Sequence, residues 1–247
     1  MFIALIFLFG LFFGSFLNVV INRLHTGEQF LKGRSHCPHC RHDLSSADLI
    51  PVISYLTLRG QCRYCHKHIS PQYPLVEFAT GIALAIAAAA LGWGVPFLFA
   101  ALATLFLVVL FVFDLKHHLI LDVVSYPFAV LALIAGFLFG HTYLDILIGG
   151  VIGGGFFLAQ ILFSRGRWVG GGDAKLGIGM GFLLGWDGVL LALFLAYISG
   201  AIIGSILLLS RKATPRSAIP FGTFLTLATY IAMLWADPIL LFYDHLV

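Results

Sequence analysis

Charge is what this chain has least of. Only 10% of its 247 residues are Asp, Glu, Lys or Arg, while 60% are hydrophobic. A water-soluble shell cannot be built from so little charge, and a soluble core of this size does not need so much apolar surface. The composition therefore excludes an ordinary soluble globule and defines a polytopic membrane protein. Cysteine is missing everywhere except one segment, Cys37 to Cys65, so the four cysteines belong to one local feature. The opening run MFIALIFLFGLFFGSFLNVVI has no basic residue ahead of it and no small-x-small cleavage site. Positive charge begins only at Arg23, so this run reads as an uncleaved first span. There is no visible internal repeat, low-complexity linker or glycine-rich nucleotide loop, and the only polar stretch of any size is 22–74.

What remains is apolar runs of spanning length, roughly 20 residues each. The candidates are 2–21, 75–92, 95–113, 122–140, 143–163, 174–186, 188–209 and 219–236, the sixth being short and glycine-rich. With the N-terminus outside, all 14 basic residues fall in the inside loops 22–74, 114–121, 164–173 and 210–218 or on the adjoining helix start at Lys175. The outside turns near Trp93, His141 and Trp186-Asp187 have none. This one-sided split sets orientation and span count together. The expected fold is an all-α polytopic membrane protein of about eight transmembrane helices, with a cytoplasmic four-cysteine segment between the first two. It divides into a first span (1–21), that segment (22–74) and a seven-span core (75–247). Small-residue pairs at Gly10/Gly14, Gly149/Gly153, Gly150/Gly154 and Gly200/Gly204 suit close helix packing in lipid.

In the polar segment, Cys37-Pro-His-Cys40 and Cys62-Arg-Tyr-Cys65 form two CxxC knuckles. Paired thiolates of this kind converge on one tetrahedral ion, and soft sulfur ligands favour zinc. In a reducing cytoplasm, metal binding is the better reading than disulfides, with a redox dithiol as its competitor. His36, His39, His42, His66 and His68 surround the site, but four thiolates already fill it. A closed four-cysteine site is structural, and the metal supplies much of the folding energy of so small a segment. A nucleic-acid-binding ribbon is disfavoured because the segment is tethered between two spans.

Two acids stand at apolar boundaries. Asp114 closes the run 95–113, and Asp173 ends the glycine run Gly170-Gly171-Gly172. Ionisable groups at membrane depth cost several kcal/mol and mark working sites. Two carboxylates flanking a water hydrolyse an amide with no metal: one activates the water, the other donates to the carbonyl oxygen, and the proton belongs to the pair. The bland reading makes Asp173 a helix cap and Asp122 a solvated boundary residue. Asp122, eight residues after Asp114, shares its helix face if the helix continues. Facing acids also serve ion-coupled transporters, and Glu77 at the start of the second span keeps that alternative open. A third reading is a structural zinc-binding adaptor protein.

Three blocks carry a resemblance: GSFLNVVINRL at 14–24, SHCPHCRHDLSSADLIPVISYLTLRGQCRYCHKHISPQYPLVEF at 35–78, and FDLKHHLILD at 113–122 with GGGDAK at 170–175. Together they resemble the type IV prepilin peptidases, membrane aspartyl proteases of the GxGD type, in order and over essentially the whole chain. The resemblance implies removal of the basic leader from prepilins and pseudopilins at the cytoplasmic face of the inner membrane. Asp114 and Asp173 would then be the catalytic pair, with Gly170 and Gly172 as supporting backbone. It also implies N-methylation of the new amino terminus with S-adenosylmethionine, for which no binding residues are identified. Two departures are visible. Only 13 residues separate Leu24 from Pro38, where relatives carry a longer insertion, and Leu121 stands where a proline is common.

Overall fold

In lipid every backbone amide must find its partner within the chain, so apolar runs of this length fold as helices. The computed structural model describes residues 1–29, 33, 35–212, 214, 217 and 219–245. Among these there is no β-strand, only two isolated bridges. Lys32, Arg34 and Arg216, three of the basic residues that orient the chain, lie outside the described residues. Packing divides the chain into two units, Met1–Gly92 and Trp93–Val247.

In the first unit, α1 (Phe2–Thr26) packs along α3 (Gln72–Leu91). The contact is backbone on backbone: a Cβ added at Gly10 would lie 2.6 Å from Gly81 Cα, and one at Gly14 2.6 Å from Glu77 Cα. Small residues allow this approach, which replaces the hydrophobic drive that lipid cannot provide. Asn18, fully buried, donates to the Tyr73 carbonyl at 3.1 Å and accepts from the Gln72 amide at 3.2 Å, cross-linking the two helices. The polar segment between them holds a 3₁₀ turn (Ser46–Leu49) and the short α2 (Ile53–Thr57).

The second unit comprises α4 (Val95–His117), α5 (Asp122–Leu138), α6 (Tyr143–Ser164), α7 (Gly171–Leu209) and α8 (Phe221–Asp244). Among the described residues, six helices are long and apolar enough to cross a membrane: α1, α3, α4, α6, α7 and α8. With 17 residues α5 is shorter. At 39 residues α7 would extend about 58 Å if straight, twice the ~30 Å hydrocarbon core. It is not straight. Gly185 has φ 71° and ψ −175°, outside the helical region and open to glycine alone at little cost. A Cβ built on Gly153 would collide with the Gly177 carbonyl and lie 3.3 Å from Val189 Cγ2, so residues on either side of Gly185 meet at one point. The chain therefore doubles back there, and α7 contains the sixth and seventh expected spans as a helical hairpin. With α5 and the two arms of α7, the eight apolar runs of the sequence are all helical, six of the helices being of spanning length among the described residues.

The α6–α7 seam is built from the expected glycines. Gly149 backs onto Gly181, Gly153 onto Gly177, Gly150 onto Phe182 and Gly154 onto Ile178. Gly200 and Gly204, by contrast, make only ordinary contacts, at 3.5 Å to Phe221 and 3.4 Å to Ile219.

Candidate active site

The two CxxC turns are one structure written twice. Cys37 N–H donates to the His42 carbonyl at 3.0 Å and Arg41 N–H to the Cys37 carbonyl at 2.9 Å. Cys62 N–H donates to Lys67 and His66 N–H to Cys62, both at 2.9 Å. Arg41 and His66 share the left-handed conformation, each with φ 57°. The bridges His36–Asp43 and Gln61–His68 close both turns, so the segment does contain a short local repeat. The sequence concealed it because only the cysteine spacing, not the intervening residues, is common to both copies. All four sulfurs lie within 4.8 Å of one another, with Cys37 Sγ 3.9 Å from Cys65 Sγ. Sulfurs held 2.3 Å from a tetrahedral zinc are about 3.8 Å apart, so the set fits a metal ion. The thiols cannot all ionise unaided. Burial opposes the Cys37 thiolate, but amides of Cys40 and His39 and the thiols of Cys40 and Cys62 bring it down to about 7. Cys65 is aided by the Lys67 amide, yet burial and the thiols of Cys62, Cys40 and Cys37 hold it up at about 11.

The carboxylates sit in the second unit, each at a helix end. Asp114 lies in the last turn of α4, 5% exposed. The carbonyl end of a helix is a poor place for an anion. The N-terminus of α8 offsets this: Thr223 N–H donates to Asp114 Oδ2 at 2.9 Å, and a Cβ on Gly222 would lie 2.8 Å from the same oxygen. Asp173 occupies the first turn of α7, half-buried, where the helix dipole favours it. Its Oδ2 accepts from the Gly170 amide at 3.1 Å, and its own amide donates to the Gly170 carbonyl at 3.2 Å. The capping reading is thus part of the truth, and it holds the carboxylate in place. The two acids come to one neighbourhood, since Ile120 lies against both Gly172, beside Asp173, and Gly222, beside Asp114.

Of the glycine run, Gly170 has φ −84° and needs no positive-φ freedom. Gly172 is needed for space, because a Cβ there would meet Ile120 Cβ at 2.7 Å, whereas Gly171 faces nothing within 4 Å. Buried Ile120 also approaches Gly222, with Cδ1 3.1 Å from the position of a Cβ there, and so fills the ground between the two helix starts that carry the site.

Asp122 does not share a face with Asp114. α4 stops at His117, His118 turns left-handed at φ 52°, and Asp122 opens α5. It pairs instead with Lys175 at 2.5 Å, whose ammonium also lies 5.3 Å from the Tyr126 ring centroid. Gly222, Thr223 and Ile120 went unread in the sequence. The only local signal was Pro220-Phe221-Gly222 at a span start, a helix-opening pattern with no hint of its target.

Apolar helices of spanning length, a four-thiol module and two acids at helix ends define a multi-pass membrane protein. Two family models match it: the Bacterial Peptidase A24 N-terminal domain over residues 8–91, and the Type IV leader peptidase family over 101–205. The chain is 36% identical to the prepilin leader peptidase/N-methyltransferase of Aeromonas hydrophila, covering 98% of this chain and 94% of that protein. It is 34% identical to that of Pseudomonas aeruginosa, covering 94% and 90%, and 32% identical to that of Bacillus subtilis, covering 98% and 97%. No solved structure matches it. The chain belongs to the type IV leader peptidase family and is a membrane peptidase.

Proposed function

We propose that the chain removes the basic leader from type IV prepilins and pseudopilins by aspartyl catalysis at Asp114 and Asp173, on the cytoplasmic side of the inner membrane. The observation that carries this reading is the meeting of two acids at helix ends, one buried on the amides of α8 and one capping α7. The relatives' names supply the substrate class, and the placement of basic residues supplies the side.

The substrate's apolar stem enters laterally from lipid while its basic leader stays in water. The ionised member of the pair takes a proton from water, whose oxygen bonds to the scissile carbonyl carbon. The protonated member delivers its proton to the carbonyl oxygen. The tetrahedral diol then collapses: a proton passes to the amide nitrogen, the C–N bond breaks, and the pair returns to its starting state. The open side of Gly171 leaves room for an extended peptide.

The metal at Cys37, Cys40, Cys62 and Cys65 is zinc in a closed structural site, which holds the segment folded and takes no part in cleavage. As the relatives' names suggest, the new amino terminus is then methylated by S-adenosylmethionine, and we assign no residue to that donor.

The test is cleavage of a prepilin in membranes. Asp114→Asn and Asp173→Asn should each lose about 10²-fold or more, the usual worth of a positioned acid or base. Asp122→Asn, which breaks only the exposed ion pair with Lys175, should retain activity. Full activity in either of the first two variants overturns the assignment.

A further inference from the structure

Between the two knuckles runs Leu49-Ile-Pro-Val-Ile-Ser-Tyr-Leu-Thr-Leu58, ten residues without a charge inside an otherwise polar segment. Its large side chains point outward: Leu49 is 38% exposed, Ile50 41%, Ile53 58% and Leu56 67%. An apolar patch of this kind facing water is a liability, and its presence marks an interaction surface.

The depth of the patch is fixed by one hydrogen bond. Val52 N–H donates to Glu77 Oε2 at 2.7 Å. Glu77 is a buried residue of α3, whose 20 residues extend about 30 Å, the thickness of the hydrocarbon core. It stands five residues from the helix start, about 7.5 Å inside it. A residue bonded directly to that carboxylate lies within one side-chain length of the membrane boundary. The contact is held against resistance, since Val52 has φ 60° and ψ −48°, a conformation that a β-branched residue adopts only when its surroundings impose it.

The turn is also locked to the second knuckle. Gly60 N–H donates to the Tyr55 carbonyl at 2.9 Å, and Arg63, next to Cys62, pairs with Asp48 at 2.7 Å. On the α3 side, Leu75 and Phe78 are exposed and continue the same apolar surface along a membrane-spanning helix.

We propose that the Leu49–Leu56 turn is a wedge embedded in the interfacial layer of the bilayer, tethered by Glu77, and that it fixes the four-cysteine module flat on the membrane surface. Its partner is lipid. The wedge presents apolar side chains where acyl chains begin, and its rigid link to Cys62 transmits that depth to the metal module. This inference is independent of the cleavage chemistry.

The experiment is tryptophan quenching in the full-length protein, reconstituted in vesicles with bromine on the upper acyl chain. Ile53→Trp and Leu56→Trp are each compared with the parent, so that the four native tryptophans cancel. The added emission should be lost to brominated lipid and spared by aqueous iodide. Tyr64→Trp, on the second knuckle, should show the reverse. Glu77→Leu should make the tryptophan at position 53 accessible to iodide, while Glu77→Gln, which keeps a carbonyl acceptor, should behave as the parent. Iodide quenching at 53 and 56 equal to that at 64 overturns the wedge, as does shielding from both quenchers, which would mean a protein partner. Lipid quenching unchanged by Glu77→Leu overturns the tether. If that variant does not fold, the measurements at 53 and 56 still decide the wedge.

Discussion

Asp114 is an acid that its own helix does not favour. It sits where α4 presents carbonyls, and it is sustained there by an amide 109 residues further along the chain. Gly222, itself buried, is the residue that permits this approach, and replacing it should matter. Gly222→Ala puts a methyl 2.8 Å from Asp114 Oδ2, too close for the carboxylate to stay where it is, and on the proposed chemistry should cut cleavage by about tenfold or more, since ångström-scale misplacement of a reacting group costs up to ~10²-fold. Gly155→Ala, which meets nothing within 4 Å and lies on α6 away from both acids' helix ends, is the control and should retain most activity. Both are read as initial rates on one prepilin. The acids themselves were legible, since a carboxylate at the end of an apolar run advertises itself. Their partners were not. Thr223 and Ile120 act through contacts that leave no trace in neighbouring sequence, and Asp122 could share a face with Asp114 only if α4 continued, which it does not.

At the level of elements, the turn at Gly185 makes one 39-residue helix into two spans. Gly185→Ala forces a side chain into the left-handed region and brings its Cβ to 3.0 Å from His141 Nδ1. The backbone term alone costs about 1–2 kcal/mol, so the variant should unfold at lower temperature in detergent. Gly155→Ala, in open space on α6, should be neutral or stabilising by up to about 1 kcal/mol. The glycine run at 170–172 was legible as close approach, but only Gly172 makes it. The span count was legible because hydropathy is a local property and survives ignorance of tertiary structure. The Gly153–Gly177 contact was suggested by spacing on α6 alone, and its partner became visible only with the hairpin. The knuckle repeat escaped notice because its common feature is a hydrogen-bond pattern.

For the whole molecule, the metal divides labour with the membrane. The purified protein should carry about one zinc per chain, measurable by elemental mass spectrometry and lost in Cys37→Ser with Cys62→Ser. Every ligand must shed its proton to bind, so retention should fall as pH is lowered. Metal content unchanged down to pH 4 would count against thiolate ligation. The site in the second unit has a different dependency. Its first acid leaves the ribosome early, its second some sixty residues later, and the amide that steadies the first belongs to α8, made after both. On the proposed chemistry, a chain not yet carrying α8 should be silent. A protein ending at Ser210 should insert and cut nothing, and supplying 211–247 as a separate peptide should switch cleavage on. On that reading assembly order becomes a safety catch: the site is complete only once α8 has reached Asp114.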